Sequence, residues 1–174
     1  APMPGRLSLI NLDDPALTEY IVHQSTFKPP RCESGNPDNQ PWFYHDARFV
    51  DMDADGLEDI VTVRSGFRVA GGFCPPTGQL VWFRNPGDQL KPEVEWEEFV
   101  LVDAEPKPGG PEVNMNVYDL EGDGIPEVIA SHFFKYDAIT VYGAPAGRRW
   151  SDVDPVNGPF VRQKDIMRGQ GNPF

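Results

Sequence analysis

Sulfur and imidazole are scarce in this chain. There are two cysteines, Cys32 and Cys74, with no CxxC, and only three histidines. Without a Cys/His cluster a zinc centre is not expected. Positive charge is also scarce. Lys plus Arg number 15 against 27 Asp plus Glu, a formal net charge of −12. That balance argues against nucleic acid or an anionic membrane surface as partner, because both need a cationic footprint. No apolar run approaches the ~20 residues of a membrane-spanning helix, so the expectation is a soluble chain with no membrane span. No stretch shows a capped 3.6-residue period, which leaves little room for helices. GxSxG, P-loop and HExxH patterns are all missing. So is any Asn-x-Ser/Thr sequon, which leaves a secreted reading without support from glycosylation.

What is present suffices for a packed core. Hydrophobic residues make up 39%, including 11 Phe, 5 Tyr and 4 Trp, so this is not a disordered acidic tail. The 17 Gly and 19 Pro among 174 residues point to many turns between short elements. The size fits one domain or two small ones. The start, Ala1-Pro2-Met3-Pro4, is compatible with a processed secreted chain.

The main signal is an internal repeat. Residues 47–63, ARFVDMDADGLEDIVTV, align with residues 115–131, MNVYDLEGDGIPEVIAS. Asp51 pairs with Asp119, Asp55 with Asp123, Gly56 with Gly124 and Asp59 with Glu127, an offset of 68. Downstream, 79–87 (QLVWFRNPG) answers to 138–147 (AITVYGAPAG), and Trp96–Asp103 to Phe160–Asp165. Alternating apolar positions rich in β-branched and aromatic residues read as strands throughout. Each unit becomes strand, acidic loop, strand, turn, strand, turn, strand. The expected fold is all-β, with propeller-like blades of four antiparallel strands. Residues 1–24 supply the outer strands of a preceding blade, 40–103 a first full blade, 112–166 a second, and 167–174 a lead-in to another. Propellers close with ~4–8 blades. Two and a half do not close a ring, so the expectation is a piece of a larger propeller or a chain that assembles with others.

The acidic loops carry the chemistry. Asp51, Asp53, Asp55 and Asp59 occupy positions 1, 3, 5 and 9, and the Leu57 carbonyl adds a donor at position 7, after a glycine that permits a sharp turn. The second loop offers Asp119, Glu121, Asp123, the Ile125 carbonyl and Glu127. Several hard oxygen donors select Ca²⁺ over transition metals and over Mg²⁺. An EF-hand would need glutamate at position 12 and flanking helices. Position 12 is Thr62 in one loop and Ala130 in the other, and the flanks read as strands.

The pattern DMDADGLEDIV, repeated as DLEGDGIPEVI, resembles the FG-GAP/VCBS family of calcium-binding β-propeller repeats. The segment VWFRNPG is similar to extracellular propellers of that family, including the propeller part of aldos-2-ulose dehydratases. The resemblance covers residues 40–165. It implies calcium at Asp51, Asp53, Asp55, Leu57 and Asp59, and a second site that departs from the pattern in having Glu at two positions. It also implies an extracellular setting. The family includes adhesion receptors, lectins and an occasional lyase, so it implies no single activity.

In a blade of this kind the acidic loops lie at one end of the strands, and the inter-blade connections lie at the other. Cys32 and Cys74 then share the far end, and a Cys32–Cys74 disulfide is expected there, with two buried thiols as the alternative. The bridge would add roughly 3–4 kcal/mol and imply an oxidising compartment. The loops 25–45, 65–78, 104–112 and 131–137 share that end. Trp42, Tyr44, His45, Phe67, Arg68, His132, Phe133, Lys135 and Tyr136 are candidate lining for a carbohydrate or protein ligand, although aromatics there also serve to pack neighbouring blades. His23 reads as a plain strand residue, and Glu97/Glu98 as a solvated edge that discourages aggregation. Three roles follow. The first is a secreted calcium-binding module for carbohydrate or protein binding, or a structural unit. The second is part of a propeller-containing sugar lyase or dehydratase. The third is a self-assembling structural protein.

Overall fold

A computed structural model describes residues 5–24, 42–66, 77–103, 111, 113–132, 138–145, 148–152 and 162–168. Among the described residues there are ten strands and no α-helix. They are β1 (Arg6–Ile10), β2 (Glu19–Gln24), β3 (Trp42–Val50), β4 (Asp59–Gly66), β5 (Thr77–Arg84), β6 (Glu97–Asp103), β7 (Met115–Tyr118), β8 (Glu127–His132), β9 (Ala138–Gly143) and β10 (Arg162–Arg168). All pairings are antiparallel. They form a β1-β2 sheet, a four-stranded sheet in the order β3-β4-β5-β6, and another in the order β7-β8-β9-β10. The fold is therefore all-β, and the two acidic repeats occupy corresponding β3–β4 and β7–β8 hairpins. The described strands close no ring. No helix is long and apolar enough to cross a membrane.

Alternation along β4 and β5 gives the middle sheet two apolar faces. Val61, Val63, Leu80 and Trp82 turn one way, joined by Phe99 and Leu101 of β6. They pack on Met115, Val128, Ala130, Tyr142 and Trp150 of the β7–β10 unit. Ile60, Val81 and Phe83 turn the other way and, with Trp96, enclose Val22 of β2. A sheet buried on both faces should read as nearly continuous hydrophobic sequence, and β4 and β5 (IVTV, LVWF) do.

Polar contacts fix how the sheets meet. The β5–β6 connection runs along β2, where Ile21 N–H donates to Pro92 O (3.3 Å) and Trp96 N–H to Val22 O (3.0 Å). His45 is the extra residue of a bulge on β3, since Tyr44 faces Arg64 while Asp46 already faces Val63. Beyond the bulge the Asp46 carboxylate accepts the Met115 amide of the next sheet (3.0 Å). Gly5, at the start of β1, sits so close to the Trp42 carbonyl that a Cβ would fall 1.9 Å from its oxygen. Only glycine fits there, and this contact places the start of β1 beside the start of β3.

β3 is longer than the sequence suggested. Trp42, Tyr44 and His45 were expected in a loop running through residue 45, but they belong to the strand and pair with β4 out to Gly66. Ser131 and His132, likewise expected in a loop, close β8.

Candidate metal centre

Each acidic loop is organised by its first carboxylate. Asp51 accepts the amides of Asp55 (3.1 Å) and Gly56 (2.9 Å), and Asp55 accepts that of Leu57 (2.8 Å). Asp119 does the same for Gly122 (2.7 Å), Asp123 (3.1 Å) and Gly124 (2.9 Å), and Asp123 for Ile125 (2.9 Å). Aspartate is suited to this role because its short side chain reaches amides a few residues ahead. The turns use left-handed backbone at matching places: Ala54 (φ 61°) and Gly56 (φ 90°) in one loop, Gly122 (φ 70°) and Gly124 (φ 80°) in the other. Ala54 bears a Cβ where its counterpart is glycine, so the first loop carries backbone strain that the second avoids.

The ninth position ties each loop to its sheet. Asp59 is fully buried and accepts the amides of Met52 (3.1 Å) and Asn85 (2.8 Å). Glu127, also buried, accepts the Leu120 amide (2.8 Å). Burial pushes the Asp59 carboxyl upward, the two backbone amides and the Trp82 indole pull it back, and the nearby Asp53 charge adds to the rise.

The loops differ at the third position. The Asp53 side chain is 8% exposed, and its Oδ2 meets Arg84 Nη2 at 2.9 Å. Its Oδ1 is buried without a hydrogen-bond partner. Arg84 is held in turn over the Trp82 and Phe99 rings, 5.1 and 5.2 Å from their centroids. One carboxylate oxygen each from Asp51, Asp53 and Asp59 lies within 4.8 Å of the others. Among the described residues this is the one such group, and the second loop forms none. Asp55 is exposed and engaged with its own turn, and Glu121 and Asp123 are also exposed.

At the other end of the strands the described ligand candidates make contacts within the protein. Trp42 is buried beneath the Arg64 guanidinium, 4.5 Å from its ring centroid. Tyr44 hydrogen-bonds His23 Nδ1, and burial pushes its hydroxyl up to about 12. His45 Nε2 lies 2.8 Å from the Ser65 hydroxyl, and His132 Nε2 lies 2.8 Å from the Tyr142 hydroxyl. Arg68, Tyr136, Phe67, Phe133, Lys135, Cys32 and Cys74 lie outside the described residues, and with them the proposed disulfide.

Two sequence expectations are corrected there. Glu98 lies on the edge strand β6, as expected, but it is half-buried rather than solvated. Its carboxylate takes both Arg64 Nη atoms, at 3.0 and 2.7 Å, and approaches His23 Nε2 at 3.3 Å, while Arg64 Nε donates to Gln79 (2.8 Å). Nor is His23 a plain strand residue, because it joins β2 to β3 and β6 through this network. No signal in the sequence ties these residues together, since they come from five separate strands.

Burial lowers the His23 pKa. The Glu98 charge opposes this, the Arg64 charge adds to it, and Glu95 opposes it weakly. The unfolded chain therefore takes up a proton at higher pH than the folded chain. Stability from this site is present above the ordinary histidine range, near 6.5, and falls as pH drops through it. Thermal melts from about pH 8 to about pH 5.5 should show a falling midpoint, with a shallower slope in His23→Gln. Equal slopes would remove His23 from the linkage.

The chain matches no protein-family model, and no curated protein or solved structure is detectably similar to it.

Proposed function

We propose that the protein is an extracellular calcium-binding repeat module of β-propeller type, in which Ca²⁺ at Asp51, Asp53 and Asp59 fastens the β3–β4 hairpin to its sheet. The observation that carries this reading is the Asp53 Oδ1 atom, buried, without a partner and beside two further carboxylates. A buried anionic oxygen left unpaired costs several kcal/mol, and a cation between the three groups would remove that cost. The charges also fit. Three converging carboxylates less one Arg84 guanidinium leave two negative charges for a divalent ion. Oxygen-only donors favour a hard cation, and a flexible set of acidic and carbonyl oxygens favours calcium.

Of the possible roles, the structural one has the most support. Trp42, Tyr44 and His132 are occupied by internal contacts and do not offer an open face to a sugar. Bound calcium stabilises the folded state by linkage. Calcium in excess should raise the melting temperature by several degrees relative to chelator, and Asp53→Ala should abolish that increment. Asp53 accepts no backbone amide, so its loss should change the melt in chelator far less. Titration calorimetry showing no heat with calcium, together with identical melts in both buffers, would reject the site.

A further inference from the structure

The two repeats present equivalent residues in unlike surroundings. At an offset of 68, Val50 and Met52 correspond to Tyr118 and Leu120, and Val61 to Ile129. Met52 and Val61 are buried in the cluster between the middle sheet and the β7–β10 sheet, with Val50 packed against them. Their counterparts lie on the far face of the β7–β10 sheet, where Tyr118 is 65% and Leu120 49% exposed. The sequence keeps apolar side chains at positions that the first repeat buries and the second leaves open.

The internal interfaces show what covers such a face. Trp150, on the β9–β10 connection, packs in the cluster that holds Met52. Leu90, on the β5–β6 connection, packs in the cluster between the middle sheet and β2. In both cases the turn linking the last two strands of one sheet brings an apolar side chain to the sheet before it. The remaining turn of this type joins β1 to β2. It carries Leu12, 83% exposed, and Leu17, 56% exposed. Because β1 starts beside the start of β3, this turn lies at the acidic-loop end, the end of Tyr118 and Leu120. It is also built firmly. Asp14 accepts the Ala16 amide (2.9 Å) and the Thr18 amide (3.3 Å) and bonds the Thr18 hydroxyl, while Leu17 is held at φ 50°. A strained leucine kept rigid and exposed suits a contact made outside the chain.

We propose that chains associate head to tail, with the β1–β2 turn of a second copy seating Leu12 and Leu17 on the Tyr118, Leu120 and Ile129 face of the β7–β10 sheet. The contact repeats between copies the packing that Trp150 and Leu90 make within one. Its two surfaces differ, so it is heterologous and extends to rings or rods rather than stopping at an isologous dimer.

The test is sedimentation velocity of the full chain over about 1–200 µM, in calcium and in chelator. The weight-average mass should rise with concentration above the 19.4 kDa of one chain. Leu120→Glu and Leu17→Glu should each weaken association by ~10-fold or more with far-UV spectra and melting midpoints unchanged. Should either fold poorly, Tyr118→Ser and Leu12→Ser test the same two surfaces. Because each charged variant keeps one intact surface, an equimolar mixture should form dimers at concentrations where either variant alone stays monomeric. A wild-type chain monomeric throughout, a charged variant that associates like the wild type, or a mixture that stays monomeric would each overturn the proposal. Association equal in calcium and chelator would uphold it even if the metal site failed its own test.

Discussion

Trp82→Ala should lower the unfolding free energy by about 4 kcal/mol, within the usual range for truncating a buried tryptophan. Trp82 is fully buried, at the centre of the cluster joining the two four-stranded sheets. Its ring stacks on Phe99 with centroids 4.4 Å apart and planes inclined by 24°. Removing it deletes a large apolar contact and leaves a void in a region that β-strands cannot easily close, because their ladders fix the backbone. For a chain of this size the loss amounts to roughly 8–16 °C in melting temperature. The effect should also reach the acidic loop. Arg84 rests on the Trp82 ring and positions Asp53, so calcium affinity should fall in the same variant. Trp82→Phe, which keeps an aromatic surface, should recover most of both losses. Chemical denaturation showing under about 1.5 kcal/mol for the alanine variant would mean that the two sheets do not depend on this contact.

The acidic loops were legible because their determinants are local. Asp51 and Asp119 act on amides within five residues, so the spacing D-x-[DE]-x-D-G alone specifies the turn. The strand order within each unit was legible from alternation. Three things were not, and each depends on partners far along the chain. The extent of β3 was hidden because Trp42-Phe43-Tyr44-His45 gains its strand character from pairing with residues 64–66 rather than from its own pattern. The glutamates of the second loop were legible, but the ion pair that holds Asp53 was hidden because it rests on Arg84, 31 residues away, whose place is set by the Trp82 and Phe99 rings. Glu98 looked like a solvent-facing partner of Glu97. A bidentate guanidinium from the strand two away in the sheet leaves it half-buried, 27% exposed against 63% for Glu97, and no local periodicity encodes that.

Asp59→Ala separates the structural work of the acidic loop from its proposed metal chemistry. The fully buried Asp59 carboxylate accepts two amides, those of Met52 and Asn85, which come from the loop itself and from the turn after β5. Alanine would leave both donors inside the protein without an acceptor, at ~1–3 kcal/mol each. A loss of about 3 kcal/mol is therefore expected in chelator, before any ion is considered. In calcium the variant should lose this amount plus the whole increment that the ion gives the wild type, so the gap between the two proteins should widen. Asp59→Asn keeps one acceptor oxygen but sets an amide N–H₂ against the second donor. It should fall between alanine and wild type in chelator, and it should lose most of the calcium increment because a neutral amide is a poorer ligand than a carboxylate. Set beside Asp53→Ala, whose deficit should appear mainly in calcium, the pattern has a clear opposite. If Asp59→Ala loses the same stability with and without calcium while the wild type gains from the ion, Asp59 is a backbone clasp alone and the cation is held by its neighbours.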